Sequence, residues 1–113
     1  MSDTTVIDDY FAGWNKQDTD AILATLTPDV VLEDVPTGHG ATGTDAARAF
    51  IDNALSQTAG TTYDVVTTLS DGATYAIEWV MQPAGIRGSS FGSLREGQIA
   101  VNRDYWSLPR KST

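Results

Sequence analysis

Hydrophobic residues recur at helical spacing near the start of the chain. Val6, Ile7, Tyr10, Phe11 and Trp14 fall on one stripe, which predicts a helix from Thr4 or Thr5 to about Lys16. The polar run NKQDTD breaks it. Asp18 or Thr19 then caps a short second helix with Ile22, Leu23 and Leu26 turned inward, and TPD stops that helix. From Val30 to Val35 the period changes to two, as in a half-buried strand. Pro36 and the glycines at 38, 40 and 43 predict a loop, because they remove ladder donors and take special dihedrals. A third helix follows Thr44 as N-cap, with Asp45 in its first turn and Ala47, Phe50, Ile51, Ala54 and Leu55 as its apolar stripe. The rest reads as strands separated by turns: TTYDVVTTL, ATYAIEWVMQ, SSFGSL and QIAVNRDYWSL, with SDG, PAGIRG and REG between them.

Helices first and a run of strands after them predict an α+β domain, with three N-terminal helices packed on one face of a curved, mostly antiparallel sheet. Such a sheet closed by helices makes a cone, and whatever its side chains leave unfilled is a pocket. At 113 residues the chain has room for one domain. The segment 109–113, PRKST, is expected to fray.

Charge narrows the partners. Seven Lys and Arg against 15 Asp and Glu give a net charge of −8, which repels phosphate backbones and anionic lipid surfaces. Nucleic acid and membrane partners are therefore not expected. With no cysteine and a single histidine, His39, the chain offers neither thiolate chemistry nor a multi-histidine metal centre. MSDTTVIDDYF lacks the basic-then-apolar pattern of a secretory signal, and a cytoplasmic location is the expectation.

The candidate chemistry begins with Asp34, which stands where the face of Val30 and Leu32 continues toward its end. If that face is the concave one, Asp34 enters the cone, where desolvation raises a carboxyl pKa and lets it move protons near neutral pH. The alternative is an aspartate that accepts hydrogen bonds from the following loop. Tyr10 lies on the stripe of the first helix, four residues before Trp14, and is either an oxyanion donor or a core tyrosine. Asp104 shares a strand face with Ala100, Asn102 and Trp106, and Glu78 one with Thr74, Ala76 and Val80; each is either a pocket group or the solvated side of its strand. His39 sits in the glycine-rich loop, as an exposed imidazole, or as a lid or second acid–base group. The loop TGHGATGT has neither Rossmann nor P-loop spacing.

From roughly Val6 to Leu108, the order of elements and these residues resemble the SnoaL-like branch of the nuclear transport factor 2-like superfamily, whose fold is the cystatin-like cone. The segment YFAGWNKQDTDAILATLTPDVVLEDVPTGHGATGTDAARAF looks like the N-terminal half of ketosteroid isomerases, with Tyr10 and Asp34 24 residues apart at the positions of the helix-one tyrosine and the catalytic aspartate. That resemblance implies proton abstraction beside a carbonyl, with Asp34 as base and Tyr10 stabilising the enolate oxygen. Where the isomerases carry a second, acidic oxyanion donor, this chain has RGSSFGSL, with Ser89 or Ser90 as the substitute. The closing EGQIAVNRDYWSL resembles limonene-epoxide hydrolases, which places Asp104 on a water-activating aspartate, Glu78 where those enzymes have arginine and Val80 where they have a second aspartate.

Carboxylates gathered in one pocket cannot all ionise cheaply, so one is expected to hold its proton near neutral pH. The resemblance and the residues together predict a cofactor-independent acid–base enzyme for a small apolar molecule. In it Asp34, Tyr10 and Asp104 are catalytic, Trp14, Phe50 and Trp106 shape the pocket, and Glu78 forms a polar wall. Epoxide opening through Asp104 and Asp34 is the first alternative, and a non-catalytic binding or dimerisation module is the second. Tyr75, Ile77, Trp79 and Met81 are expected to face outward and form the interface of a homodimer.

Overall fold

The computed structural model describes residues 4–108. The first stripe forms helix α1 (Thr5–Lys16), which buries Ile7, Tyr10, Phe11, Gly13 and Trp14. Helix α2 (Thr19–Leu23) starts at Asp18, whose carboxylate accepts the backbone N–H of Ala21 at 3.1 Å. Strands β1 (Leu26–Asp34) and β2 (His39–Thr42) come next, then helix α3 (Thr44–Gln57). The meander consists of β3 (Thr62–Ser70), β4 (Thr74–Gln82), β5 (Ile86–Arg95) and β6 (Gln98–Ser107). The fold is thus α+β, with three helices and one six-stranded sheet in the order β2-β1-β6-β5-β4-β3. Neighbouring strands run antiparallel except β1 and β6, which are parallel. The expected fraying of 109–113 lies outside the described residues.

Several boundaries differ from the sequence reading. Leu26 opens β1 and does not close α2, and TPD lies within the strand, where the β1–β6 register is interrupted between Leu26 and Val31. Pro28 has no N–H to give a ladder, so an interrupted register accommodates it. The glycine-rich segment is only partly loop: residues 39–42 pair with 31–34 as an exposed edge strand, and the turn is confined to 35–38. Gly43, not Thr44, is the N-cap of α3, and the Thr44 hydroxyl donates to the Pro28 carbonyl at 3.4 Å.

The larger correction concerns which face of the meander is inside. Tyr75, Ile77 and Trp79 are buried in the core and Met81 packs against it, so this set cannot form a dimer interface. Both faces of β4 carry apolar groups, and alternation alone does not say which one the helices cover. The large rings go under α1 and α3, while Glu78 faces out and pairs with Arg87 at 3.0 Å. Val66, Leu69, Phe91 and Tyr105 are among the large apolar groups left exposed. In β6 the alternation itself breaks: Ser93 pairs with Val101 but Leu94 with Ile99, so Ala100 is an extra residue in the strand. This bulge explains why Ile99 and Asn102, three apart, are both buried. No helix among the described residues is long and apolar enough to cross a membrane.

Candidate active site

The expected concave face of β1 is the inner one, since Val30 and Leu32 are buried in the core. Asp34 therefore ends that face at the sheet's interior. Parallel pairing sets Asp34 beside Asp104 on β6, and antiparallel pairing sets Asp104 opposite Ser90 on β5. Residues that are register partners present their side chains on the same face. Two carboxylates and a hydroxyl thus stand in a row.

The row borders a cavity of about 460 Å³, which Asp34 and Asp104 line together with Trp14, Phe50, Tyr63, Trp79, Met81 and Trp106. Thr37, Gln57, Thr58 and Thr61 add polar groups to its wall. The two aspartates are held differently. Asp34 accepts on both oxygens: Oδ1 from the Trp106 indole N–H at 2.6 Å and Oδ2 from the Thr37 hydroxyl at 2.7 Å. Asp104 accepts twice on one oxygen, Oδ1, from the Ser90 hydroxyl at 2.6 Å and the Asn102 amide at 2.8 Å. Oδ2 of Asp104 is left to carry a proton. Burial pushes the Asp104 carboxyl up to about 6; the Ser90 and Asn102 bonds oppose that rise and the charge of Asp34 adds to it.

The donors to Asp104 are themselves fixed. Ser90 accepts the Trp79 indole N–H at 2.9 Å, and the Asn102 side-chain oxygen accepts the Tyr75 hydroxyl at 2.6 Å. Two glycines of β5 make this possible. A Cβ on Gly88 would run into the Trp79 ring, and one on Gly92 into the Tyr75 ring and the Val101 carbonyl. Because β5 offers Gly88, Ser90 and Gly92 on its inner face, two β4 rings can lie across it and reach the polar groups beyond.

Trp14, Phe50 and Trp106 stand where the sequence reading puts them, as cavity walls. Two other expectations are corrected. Glu78 is on the far side of the sheet, bound to Arg87, because β4 turns its aromatic face inward. Tyr10 is not among the cavity-lining residues; it is packed edge-on against Phe11 and Trp14, whose ring forms the wall in front of it. Its hydroxyl pKa is raised well above the ordinary phenol value, by burial first and by the charge of Asp104 second. His39 is exposed opposite Asp34 on β2 and does not line the cavity.

The phenol that does line the cavity is Tyr63, which the sequence reading does not single out. Its ring meets those of Trp14, Phe11 and Trp79 edge-on. Burial, then the charges of Asp104 and Asp34, hold its pKa above the ordinary phenol range, so it remains an O–H donor. The Asn15 side chain fixes it in place, accepting the Tyr63 backbone N–H at 2.6 Å and donating to its carbonyl at 3.1 Å. An asparagine just past the first stripe was the available signal, but pairing across 48 residues is not readable from local pattern.

The SnoaL-like domain profile matches residues 7–102. The chain belongs to the SnoaL-like family. No curated protein matches the domain. Among solved structures it is similar to a protein provisionally named a polyketide cyclase from Sinorhizobium meliloti, at 21% identity and a TM-score of 0.79, covering 89% of this chain and 94% of that one. It is also similar to a provisionally named ketosteroid isomerase from Kribbella flavida, at 21% identity and a TM-score of 0.75, over 96% of this chain and 80% of the other. A cystatin-fold protein from Novosphingobium aromaticivorans gives 15% identity and a TM-score of 0.78, over 93% and 98%. At these identities the likeness shows a shared fold. The SnoaL-like domain here therefore has the cystatin-like, nuclear transport factor 2-like architecture, and its chemistry must be argued from its own cavity.

Proposed function

We propose that this domain is a cofactor-independent acid–base enzyme that moves a proton on a small, largely apolar carbonyl compound, in isomerisation or ring closure. The supporting observation is the pairing of two unlike aspartates in one aromatic cavity: Asp34 engaged as an acceptor on both oxygens, and Asp104 raised to about 6 with one oxygen free for a proton. Asp34 takes a proton from the carbon beside the carbonyl. The Tyr63 hydroxyl donates to the enolate oxygen as charge develops there, in the role expected of Tyr10. Asp104 returns a proton at another atom of the substrate or at the oxygen, and the two carboxyls exchange protonation states over the cycle. A cavity of about 460 Å³ is of the size that holds a small molecule, which favours ligand capture or catalysis over a filled core that only assembles.

The raised Asp104 also supports a second reading, opening of an epoxide, with Asp104 protonating the oxygen and Asp34 steering water. The same variants separate the two. In deuterium oxide, the wild type should exchange the acidic C–H of a cyclic ketone from a small panel, and Asp34→Asn should lower that exchange by a factor on the order of 10² to 10⁴. Wild-type exchange on no ketone, together with hydrolysis of an epoxide panel that Asp104→Asn impairs most, establishes the second reading. Binding without turnover of either panel leaves a binding module.

A further inference from the structure

We infer that the cavity is a receptor for a small organic ammonium ion, an amine or quaternary ammonium bearing alkyl or aryl groups, whose charge sits between Asp34 and Asp104. The inference takes from the acid–base reading only the identity of the cavity, and adds the class of molecule that enters it.

Among the described residues no lysine, arginine or histidine lines the cavity. The four arginines among the described residues are committed elsewhere: Arg48 to Asp20, Arg87 to Glu78, Arg95 to Asp29 and Arg103 to Glu33, each on the surface. Lys16, at the end of α1, lines a separate groove between α1 and α2. Two aspartates side by side on parallel strands therefore have no counter-ion among the described residues, in a chain whose net charge is −8. The Trp106, Thr37, Ser90 and Asn102 donors are neutral dipoles and leave the net charge where it is. Charge balance then has two routes: one carboxyl keeps its proton, or a cation comes in from outside.

The walls select the kind of cation. Trp14, Tyr63 and Trp79 meet at interplanar angles of 67° and 83°, so they stand as steep walls and not as a flat stack, with Phe50 and Trp106 completing the enclosure. Aromatic walls attract a cation through the ring quadrupole and accommodate the apolar groups attached to it. A hard metal ion needs about six oxygen ligands, and among the described residues no three of His, Cys, Asp and Glu converge. An anion meets repulsion from both carboxylates. The ammonium ion is the charge that both features favour.

Cation binding and proton binding then compete. The groups that face Asp104 are Asp34 from β1, Tyr63 from β3, Tyr75 from β4, Ser90 from β5, Asn102 from β6 and Tyr10 from α1; α3 adds uncharged Phe50, Ala54 and Gln57 to the cavity wall. The three tyrosines have raised pKa values and stay neutral, so Asp104 is the group whose ionisation the cation promotes. Affinity for the cation should rise as the pH passes upward through about 6.

The test is calorimetric titration at constant salt with choline and with benzyltrimethylammonium, each against its neutral shape-match, 3,3-dimethylbutan-1-ol and neopentylbenzene. At pH 8 at least one cation should bind about tenfold more tightly than its neutral match, and the preference should shrink severalfold at pH 5. Asp104→Asn should remove that pH dependence. Asp34→Asn should weaken the cation about tenfold, whereas Glu33→Gln, one residue away on the outer face and equal in charge change, should alter it less than about twofold. The inference is overturned if neither cation outbinds its neutral match, or if Glu33→Gln weakens binding as much as Asp34→Asn does. Binding is read without turnover, so its failure leaves proton transfer standing, and failure of deuterium exchange leaves the cation site standing.

Discussion

On the outer face of the sheet Glu33 and Glu78 each meet an arginine, Arg103 at 3.2 Å and Arg87 at 3.0 Å, with water around them. On the inner face, one residue along β1 from Glu33, Asp34 meets a second carboxylate and none of the described arginines. The outer acids sit in high dielectric, where pairing contributes little and its loss is tolerated. The inner pair sits among indole and phenol rings, where one uncompensated charge is costly and two are costlier. The described arginines all sit in surface pairs and none reaches the two inner acids, an arrangement that does not favour stability. Clusters of perturbed groups in a cavity mark functional sites for this reason.

Neutralising one acid on each side separates the two faces most strongly. Asp34→Asn should reduce deuterium exchange of a ketone substrate by a factor on the order of 10² to 10⁴, and Glu33→Gln should leave it unchanged. Equal effects would mean that the inner face has no special chemistry. The next largest effect tests the scaffold behind Asp104. Gly92→Val drives a side chain into the Tyr75 ring and the Val101 carbonyl, and should destabilise the domain by about 3 kcal/mol in urea denaturation.

A comparable change comes from titrating Asp104. Its folded pKa, about 6, lies above its ordinary value of 3.8, so the protonated form is the one that folding favours. The stabilisation is complete below the ordinary value and is lost as pH rises through about 6, an amount of about 3 kcal/mol for a shift of this size. Asp104→Asn keeps an acceptor for Ser90 and Asn102 without the charge. It should remove that pH dependence and make the variant more stable than wild type at pH 8. The smallest effect belongs to the outer face: Arg103→Ala should cost less than about 1 kcal/mol, and still less at high salt.

Much of this arrangement was legible in the chain itself. The stripe of α1, the alternation ending at Asp34 and the aromatics Trp14, Phe50 and Trp106 follow from period and position, and of these Trp14, Asp34, Phe50 and Trp106 line the cavity. What failed was the choice of side in strands with two apolar faces. Tyr75 and Trp79 look like surface rings until Gly88 and Gly92 are seen to make room for them on β5, a relation across strands that no local window contains. The same ambiguity hides the outward side of Glu78. Tyr63, which lines the cavity where Tyr10 does not, is tied through its backbone to Asn15, 48 residues away, a pairing outside any local window. Ala100 shows the remaining limit, because one extra residue in β6 undoes strict alternation between Ile99 and Asn102.

The central claim is that Asp104 shares its hollow with a second acid and holds a proton close to neutral pH. Carbon-13 NMR of the aspartate carboxyls, followed from pH 3 to 9 in the wild type and in Asp104→Asn, measures it directly. The account predicts one carboxyl signal with a midpoint near 6 that is missing from the variant. If every aspartate titrates near the ordinary value of about 4, or if the late-titrating signal survives in Asp104→Asn, the account is contradicted.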